Sequence, residues 1–527
     1  MANEIIKIEL RESTGAKYQN NRMFNYHRYG DHPNIRKAIK ALCDEMAYKG
    51  MIAEKQTKVL VLDLYHCFKG DKTRYLTFFL SPNSYESIRK YNWFKVSYRP
   101  VRQITERLFD LGYIEVKKGF RDKKTHYTES SKMRANGSLI ELLEKQGVKP
   151  RMISTWKDEE IIILKDKKKD VKVGDRWVKI KPKIDYEDTD EIIAMRNIVT
   201  DYNALLAETH ADIDVTGYEY VRKIKESDKG NKNKHLPLKI DLSNKKVKRV
   251  FNDGDFEHGG RFYNGFWQQC PESLRQHIML DGEHVYEYDF SGLHVHLLYS
   301  LVGLKLGTKE PYILPKCDEH NKLRRVYKLL MLTSVNCKND HECIGAVTDE
   351  LDDEMLQDPD KYPAKIPDLE TMLAELKKHH KPIKQFINKS TGLALQCIDS
   401  GIAEVVIEQM TSRSIPVLCV HDSFVCKESD AATVHKAMKQ AFIQVVSQNV
   451  GDKYKNLNLQ LDDIFTTECK ESQQRFPSYR RLQSTLNLLT WAFSFKNQYA
   501  KRRLKYIATR QATINHVVTI TPRIEYY

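Results

Sequence analysis

A short alternating segment, HVYEYDF (residues 284–290), ends close to an acidic side chain and is followed directly by a helical pattern. The alternation is typical of a strand and places Glu287 and Asp289 on one face. The segment SGLHVHLLYSLVGL (291–304) then has the apolar spacing of a helix. A carboxylate at a strand end that faces a cleft is in a position to bind a metal ion. A lone aspartate can equally cap the helix that follows, so a metal site needs a second acidic residue.

A second aspartate lies in IPVLCVHDSFVCKES (415–429), between two apolar runs. This pattern predicts a β-hairpin with Asp422 at its turn. Two aspartates at two strand ends could hold two Mg²⁺ (or Mn²⁺) ions about 3.5–4 Å apart, which activate a 3′-hydroxyl and stabilise a leaving pyrophosphate. Mg²⁺ suits such a site because it binds hard oxygen ligands and keeps waters and substrate phosphates in its shell.

A basic helix is predicted between the two aspartates, in LRRVYKLLMLTSVN (323–336). Arg324 and Lys328 are one helical turn apart and therefore share a face, and Leu332 and Asn336 continue the same stripe. Two cations on one face would neutralise a triphosphate. Taken alone, such a pair is also typical of a solvated helix face.

The composition favours a polyanionic partner. The chain has 527 residues, a formal net charge of +15 and 41% hydrophobic residues. Its ten cysteines include no CxxC pair, the N-terminus lacks a signal-peptide layout, and no apolar run approaches the ~20 residues that span a bilayer. We therefore expect a reduced, cytoplasmic protein without a membrane partner, for which nucleic acid is favoured over an anionic membrane surface.

The N-terminal part has the pattern of a helix followed by a basic hairpin. KVLVLDLYHCF (58–68) predicts an apolar helix, and VSYRPVRQITERLFDLGY (96–113) predicts a second one that ends at Gly112. One face of the second helix is apolar, with Val101, Ile104, Leu108 and Leu111. The basic residues that remain outside this face or follow in the strand and loop are Arg99, Arg102, Arg107, Lys117, Lys118, Arg121, Lys123 and Lys124.

This arrangement resembles a winged helix-turn-helix, as in plasmid replication initiators. The resemblance implies that the helix enters a major groove and that the hairpin contacts phosphates. A small structural helix–hairpin unit with a solvated basic face is the alternative.

The order of the motifs is similar to motifs A, B and C of the family A nucleic-acid polymerases. DFSGLH (289–294) resembles D-Y-S-Q-I-E of that family, R-x-x-x-K follows at 324–328, and VHDSF (420–424) is closest to H-D-S-F of the single-subunit RNA polymerases. The family includes the bacterial-type DNA polymerases and the single-subunit phage and mitochondrial RNA polymerases. Two further segments, 258–282 and 392–410, resemble the family's segments before motifs A and C, so the resemblance covers about residues 255–430.

The resemblance implies a role for each matching residue. Asp289 and Asp422 would bind the catalytic metals. Arg324 and Lys328 would hold the incoming triphosphate, and Lys328 would protonate the leaving pyrophosphate. The residues implied to contact the primer terminus or the template–primer backbone are His421, Arg261 and Gln396.

Four positions depart from the family. His294 stands where the DNA polymerases carry the glutamate that excludes a 2′-hydroxyl. Leu332 and Asn336 replace the motif B residues that shape the nascent base pair and sense the sugar, and Ser423 replaces a third acidic residue. The metal-binding aspartates remain, so polymerisation survives in principle, but the choice between dNTPs and rNTPs stays open.

We predict an α+β chain with a right-hand polymerase palm and fingers behind a winged-helix domain. The expected divisions are an N-terminal arm (1–25), a winged helix (26–150), a connecting, thumb-like region (151–250), the palm and fingers (251–470) and a basic C-terminal extension (471–527). In the connecting region Thr189 is predicted to cap a helix. His379 and His380 are expected at the surface.

The predicted activity is template-directed nucleotide addition by a DNA polymerase of plasmid, phage or mobile-element origin, with DNA or RNA and nucleoside triphosphates as partners. No convincing D-x-E set lies upstream of Gly259, so no proofreading is expected. A single-subunit RNA polymerase or primase is one alternative. A DNA-binding replication initiator or repressor with an inactive palm is another, of a different class.

Overall fold

Two hydrophobic cores organise the chain, which we describe from a computed structural model. The described residues are 4–9, 21–79, 85–121, 128–173, 176–214, 218–224, 234–237, 239–242, 244–270, 272–307, 310–315, 322–357, 361–363, 365–450 and 517–519. The predicted mixture of helices and strands is confirmed. Among these residues no helix is both long and apolar enough to cross a bilayer.

The N-terminal core is built from helices that pack against a small sheet. Its helices are α1 (Pro33–Glu45), α2 (Met51–Gly70), α3 (Tyr98–Asp110) and α4 (Gly137–Lys145). The strands from the N-terminus to this point are β1 (Glu4–Glu9), β2 (Asn21–Met23), β3 (Arg28–Tyr29), β4 (Tyr75–Thr77), β5 (Ile114–Lys117), β6 (Phe120–Arg121), β7 (Thr128–Glu129) and β8 (Lys132–Ala135). The sheet order is β2-β4-β8-β5, and the short β6–β7 hairpin extends from β5 and β8.

The predicted second helix of this part is confirmed as α3, with one correction. Val101, Ile104 and Leu108 are buried, but Leu111 is 40% exposed. The helix ends at Asp110, Leu111 is the C-cap residue, and Gly112 follows with a left-handed φ of 73°. Leu111 therefore lies at the turn where the chain leaves the helix, outside the buried face.

The larger core is formed around a five-stranded sheet, in the order β13-β19-β20-β22-β21. The remaining strands are β9 (Ser154–Thr155), β10 (Ile162–Leu164), β11 (Lys169–Val173), β12 (Arg176–Ile180), β13 (Ala211–Ile213), β14 (Tyr218–Ile224), β15 (Lys234–Pro237), β16 (Lys239–Asp241), β17 (Lys248–Phe251), β18 (Gly259–Tyr263), β19 (Ile278–Leu280), β20 (Glu283–Asp289), β21 (Val417–Val420), β22 (Ser423–Lys427) and β23 (Val517–Thr519). The remaining helices are α5 (Asp190–Glu208), α6 (Glu272–Arg275), α7 (Leu293–Leu301), α8 (Lys322–Ser334), α9 (Asp340–Gln357), α10 (Leu369–His379), α11 (Gly392–Thr411) and α12 (Ala431–Val450).

Helix α5 belongs to the larger core. Thr189 caps it as predicted, because its hydroxyl accepts a hydrogen bond from the Ile192 amide at 3.4 Å. Tyr202 is buried and donates from its hydroxyl to the Val417 carbonyl at 2.6 Å, which ties α5 to β21. Part of the region between residues 151 and 250 therefore shares its core with the sheet that follows.

The prediction for His380 was wrong. His379 is exposed, but His380 is buried. Its Nε2 lies 2.8 Å from the Pro311 carbonyl and its Nδ1 lies 3.1 Å from the Tyr299 hydroxyl. Both ring nitrogens are thus partnered, which offsets the cost of burying the imidazole, and desolvation lowers its pKa to about 4.

Candidate active site

The sheet brings the two predicted metal-binding aspartates to the same edge. Strand β20 pairs with β22 in antiparallel register, and Asp289 is the partner of Ser423. Asp422 immediately precedes Ser423 at the β21–β22 turn, so the predicted hairpin is confirmed. Directly paired strand residues lie about 4.5–5.5 Å apart, and Asp289 and Asp422 are therefore close neighbours. Asp289 is exposed and Asp422 is half-buried.

Glu287 supports this edge from the same face as Asp289. Arg275 donates to both oxygens of Glu287, at 3.0 and 2.8 Å. The Ser423 hydroxyl donates to the same carboxylate at 2.8 Å. The Ser423 hydroxyl therefore helps to fix the Glu287 carboxylate. Because Arg275 already neutralises this carboxylate, Glu287 is not available to bind a cation.

A buried aspartate that the sequence analysis did not identify lies beside Asp422. The Asp399 side chain, on α11, is fully buried. Arg261 donates to it from Nε at 3.1 Å and also from Nη2, and His294 Nε2 lies 2.8 Å from Asp399 Oδ2. An acidic residue inside the apolar helix pattern GLALQCIDSGIAEVV was the available signal, because a buried charge requires a partner.

The electrostatics at Asp422 suit a cation. Burial raises the pKa of Asp422, and the nearby Asp399 carboxylate raises it further, whereas Arg261 acts in the opposite direction. The positive charge near Asp422 is therefore too small to offset the cost of ionising this buried carboxyl group. A divalent cation would supply that charge, so these residues fit one by the chemistry of the site.

Two of the residues predicted to contact the primer or the template, His421 and Arg261, also lie near this edge. His421 has a left-handed φ of 60°, and its ring lies 5.4 Å from the ring of Tyr263. Burial lowers the pKa of His421, so the imidazole is held neutral. Arg261, four-fifths buried, is held by Asp399, and Gln396 is half-buried on α11.

The basic helix is linked to the Asp289 turn through one aromatic ring. Arg324 and Lys328 on α8 lie 5.8 and 5.9 Å from the ring centre of Tyr312, which confirms that they share a face. Tyr312 in turn lies beside Gly292, where an added Cβ would be 3.6 Å from the tyrosine hydroxyl. Gly292 adopts a left-handed φ of 59° three residues after Asp289. The cations and the acidic edge are therefore connected by a close packing contact.

Two features of α8 were not foreseen. Glu310 forms a salt bridge with Arg324. Its Oε2 atom lies 2.8 Å from Nε and 2.6 Å from Nη2 of the guanidinium. Asn336 lies beyond the end of α8 and donates to the Leu332 carbonyl at 2.8 Å. Leu332 is 37% exposed, so the stripe reaches the surface at this point.

The described basic residues predicted in the N-terminal part lie on α3 and on the segment from β5 to β6. Arg99 and Arg102 are exposed on α3, although Arg102 contacts Glu106 at 2.7 Å. Lys117 and Lys118 are exposed, and Lys117 also lies 4.7 Å from the ring of Tyr75. Arg121 lies at the end of β6, and Lys123 and Lys124 fall outside the described residues.

Within the described residues, the protein's own side chains do not form a complete metal site. In the part of the chain that the structure describes, no group of three or more His, Cys, Asp and Glu side chains is placed to hold a metal ion. A pair of carboxylates with substrate phosphates and waters is instead the usual Mg²⁺ arrangement in phosphoryl-transfer sites.

No protein family and no curated protein matches the sequence.

Proposed function

We propose that the chain is a Mg²⁺-dependent, template-directed nucleotidyltransferase, and specifically a DNA polymerase without proofreading. The observation that carries the proposal is the β20–β22 register, which places Asp289 beside the Asp422 turn. The two residues are 133 positions apart in the sequence, and each belongs to a separate sequence motif. The pairing of β20 with β22 therefore brings together two aspartates that come from two separate motifs.

Each element around this edge would have a defined task. Asp289 and Asp422 would hold two divalent ions, which when bound supply charge to the attacking 3′-oxygen and the leaving pyrophosphate. Arg324 and Lys328 would bind the triphosphate, and Lys328 would donate a proton to the departing pyrophosphate. His421, neutral and held in a fixed turn, would contact the primer terminus.

The proposed architecture is a polymerase palm and fingers behind a winged helix. The antiparallel β20–β22–β21 sheet, covered by α7, α11 and α12, supports a palm, and the contacting helices α8, α9 and α10 support fingers. In the N-terminal core the order α2, β4, α3, β5, β8, with β8 central between β4 and β5, supports a winged helix with α3 as its recognition helix. Such a pairing suits a cytoplasmic replication protein of a plasmid, phage or mobile element.

Primer extension tests the proposal directly. The purified chain is incubated in Mg²⁺ with a primed DNA template and with dNTPs or rNTPs in separate reactions. We expect extension with dNTPs that is lost, by about 10³-fold or more, in Asp289→Asn and Asp422→Asn. The matched control is Asp352→Asn, which removes an exposed carboxylate on α9.

The outcomes separate the alternatives. Extension with rNTPs at a similar rate would identify an RNA polymerase or primase. Tight DNA binding without extension would identify an initiator or repressor with an inactive palm. Extension by Asp289→Asn equal to that of the parent would show that the site is assigned to the wrong residues.

A further inference from the structure

A rigid turn before α3 displays an exposed tryptophan. Trp93 is 39% exposed, yet the residues that hold its turn are buried. Asn92 donates to the Glu86 and Val96 carbonyls at 2.7 and 2.8 Å and accepts from the Val96 amide at 3.0 Å. The buried Asn92 side chain therefore fixes the backbone on both sides of Trp93.

The same turn contains backbone strain. Lys95 adopts a left-handed φ of 52°, a conformation that costs a residue with a side chain about 1 kcal/mol. The buried amide of Gln56 donates to the Lys95 carbonyl at 2.5 Å and accepts from the Ser97 amide at 3.3 Å, which fixes that conformation. Strain that is held in place by buried hydrogen bonds is found preferentially at binding sites.

The indole of Trp93 extends an aromatic cluster. It stacks on Trp156, with ring centres 6.0 Å apart and planes inclined by 14°. Tyr29 and Phe94 pack edge-on against Trp156, at 4.8 and 5.5 Å. The Nε1 atom of Trp156 is buried without a hydrogen-bond partner in the described part of the chain. The exposed ring therefore rests on a fixed aromatic base and loses little freedom when it is covered.

Cations surround this cluster. The guanidinium of Arg89 lies 4.6 Å from the centre of the Trp93 ring, Lys55 lies 5.4 Å from Phe94, and Lys58 lies 5.0 Å from Tyr29. Lys58 also faces Asp31 at 3.9 Å. Among the described residues Arg89 and Lys55 have no acidic partner within salt-bridge distance, so both are available for an anionic ligand.

We propose that Trp93, with Arg89 and Lys55, forms a binding site for single-stranded nucleic acid. Unpaired bases stack on exposed aromatic rings, and neighbouring cations neutralise the phosphates that join them. Bases in a duplex are stacked on one another and cannot use the indole in this way. The site therefore differs from the duplex-binding role proposed for α3, and it requires neither Asp289 nor Asp422.

The proposed single-strand site lies next to α3, the helix proposed to bind duplex DNA. Trp93 precedes the first residue of α3, Tyr98, by only five positions. Gln56 holds both the Lys95 carbonyl and the Ser97 amide, so the turn and the start of α3 are fixed together. One nucleic acid could therefore contact both, with a paired part at α3 and an unpaired part at Trp93. The N-terminal part would thus hold a junction between paired and unpaired strands.

Fluorescence anisotropy with labelled oligonucleotides tests the inference on the full chain. The probes are single-stranded oligo-dT, single-stranded oligo-U and a DNA duplex, each about 12 nucleotides long to span a typical site. We expect Trp93→Ala to weaken single-strand binding about 5- to 150-fold and to leave duplex binding within about twofold. The affinities for oligo-dT and oligo-U show whether the site prefers single-stranded DNA or single-stranded RNA.

The matched control is Trp177→Ala. Trp177 is 69% exposed in the lysine-rich β11–β12 hairpin, so both variants lose an exposed indole near basic residues. Trp93→Phe keeps an aromatic ring and is expected to retain most of the affinity, which separates stacking from a folding defect. Arg89→Ala is expected to reduce the slope of log K against log salt by about 0.7 on single strands.

The inference would be overturned if Trp93→Ala bound single strands as tightly as Trp177→Ala does. It would also be overturned if the parent protein did not bind single strands at all. Asp289→Asn should bind the single strands as the parent does. Failure of catalysis and failure of this site are thereby distinguished.

Discussion

Asp422 is expected to lower the stability of the protein when it is ionised and no cation is bound. Its pKa is raised by burial and by Asp399, so the unfolded chain releases this proton at a lower pH than the folded chain. The contribution of Asp422 to stability therefore falls as the pH rises above about 4, the ordinary value for the residue.

Asp422→Asn should consequently raise the free energy of unfolding at pH 7 in EDTA, and the gain should vanish near pH 4. Urea denaturation at the two pH values measures both effects. Mg²⁺ should raise the Tm of the parent but not of this variant. A variant that is less stable than the parent at pH 7 would contradict the assigned environment of Asp422.

Replacing Asp399 should lower the free energy of unfolding, whereas replacing its neighbour Asp422 should raise it. Its fully buried carboxylate partners Arg261 and His294. Asp399→Asn would leave the largely buried guanidinium without its anion, which costs about 3–5 kcal/mol. We expect a loss of this size in urea denaturation, against less than about 0.5 kcal/mol for Asp352→Asn on the surface. A loss as small as that of the control would mean that the pair contributes little to the fold.

Glu310 is expected to compete with the substrate for α8. Its carboxylate lies on Arg324, where the proposed function places a triphosphate. Glu310→Gln should therefore lower the KM for nucleotide by up to about fivefold, since partly exposed pairs contribute about 0.2–1 kcal/mol, and should leave kcat nearly unchanged.

Steady-state primer extension at varied nucleotide concentration measures this effect, with Glu370→Gln on α10 as the control. A higher KM in Glu310→Gln would instead show that Glu310 orients Arg324 for binding.

Local patterns predicted the elements that carry these residues. The alternation at 284–290, the Asp422 turn and the Thr189 cap depend on near neighbours in the chain, and the structure confirms all three. Sequence periodicity also predicted α3, but not that its apolar face would end before Leu111.

The partners of the charged residues could not be predicted. Arg261 and Asp399 are 138 positions apart, and no periodic pattern connects them. Glu310 lies close to Arg324 in the chain, yet no sequence pattern indicates that the two side chains form a salt bridge. The burial of His380 was not predicted for the same reason. Its position after a lysine-rich helix end does not indicate the carbonyl and hydroxyl groups that contact its ring nitrogens.

The two cores meet at a buried charged residue, Glu159. Its carboxylate contacts Lys246 at 2.8 Å and also Lys248, on the side of the larger core, and His27 lies 3.7 Å away on the side of the N-terminal core. Tyr91 bridges the same boundary, because its hydroxyl accepts from the Leu164 amide at 3.0 Å and donates to the Ile184 carbonyl. A nucleic acid held by the N-terminal part would be positioned relative to Asp289 through these contacts.

Removing the charge of Glu159 should therefore weaken both the fold and the coupling between the cores. Burial alone would raise the pKa of Glu159, but Lys248, His27 and Lys246 outweigh it and lower the pKa to about 2. The stabilisation by Glu159 is present above the ordinary value of about 4.5 and is lost as the pH falls toward 2.

Glu159→Gln should cost about 3 kcal/mol at pH 7, because two lysines lose their buried anion, and much less at pH 2–3. Calorimetry should show the transitions of the two cores moving apart, while the exposed control Glu187→Gln melts as the parent does. If the two cores were independent, Glu159→Gln would leave the separation of their transitions unchanged. In that case α3 and the Asp289 edge would not be held in a fixed relation, and a nucleic acid bound at the N-terminal part would reach the site only through the flexibility of its own strand.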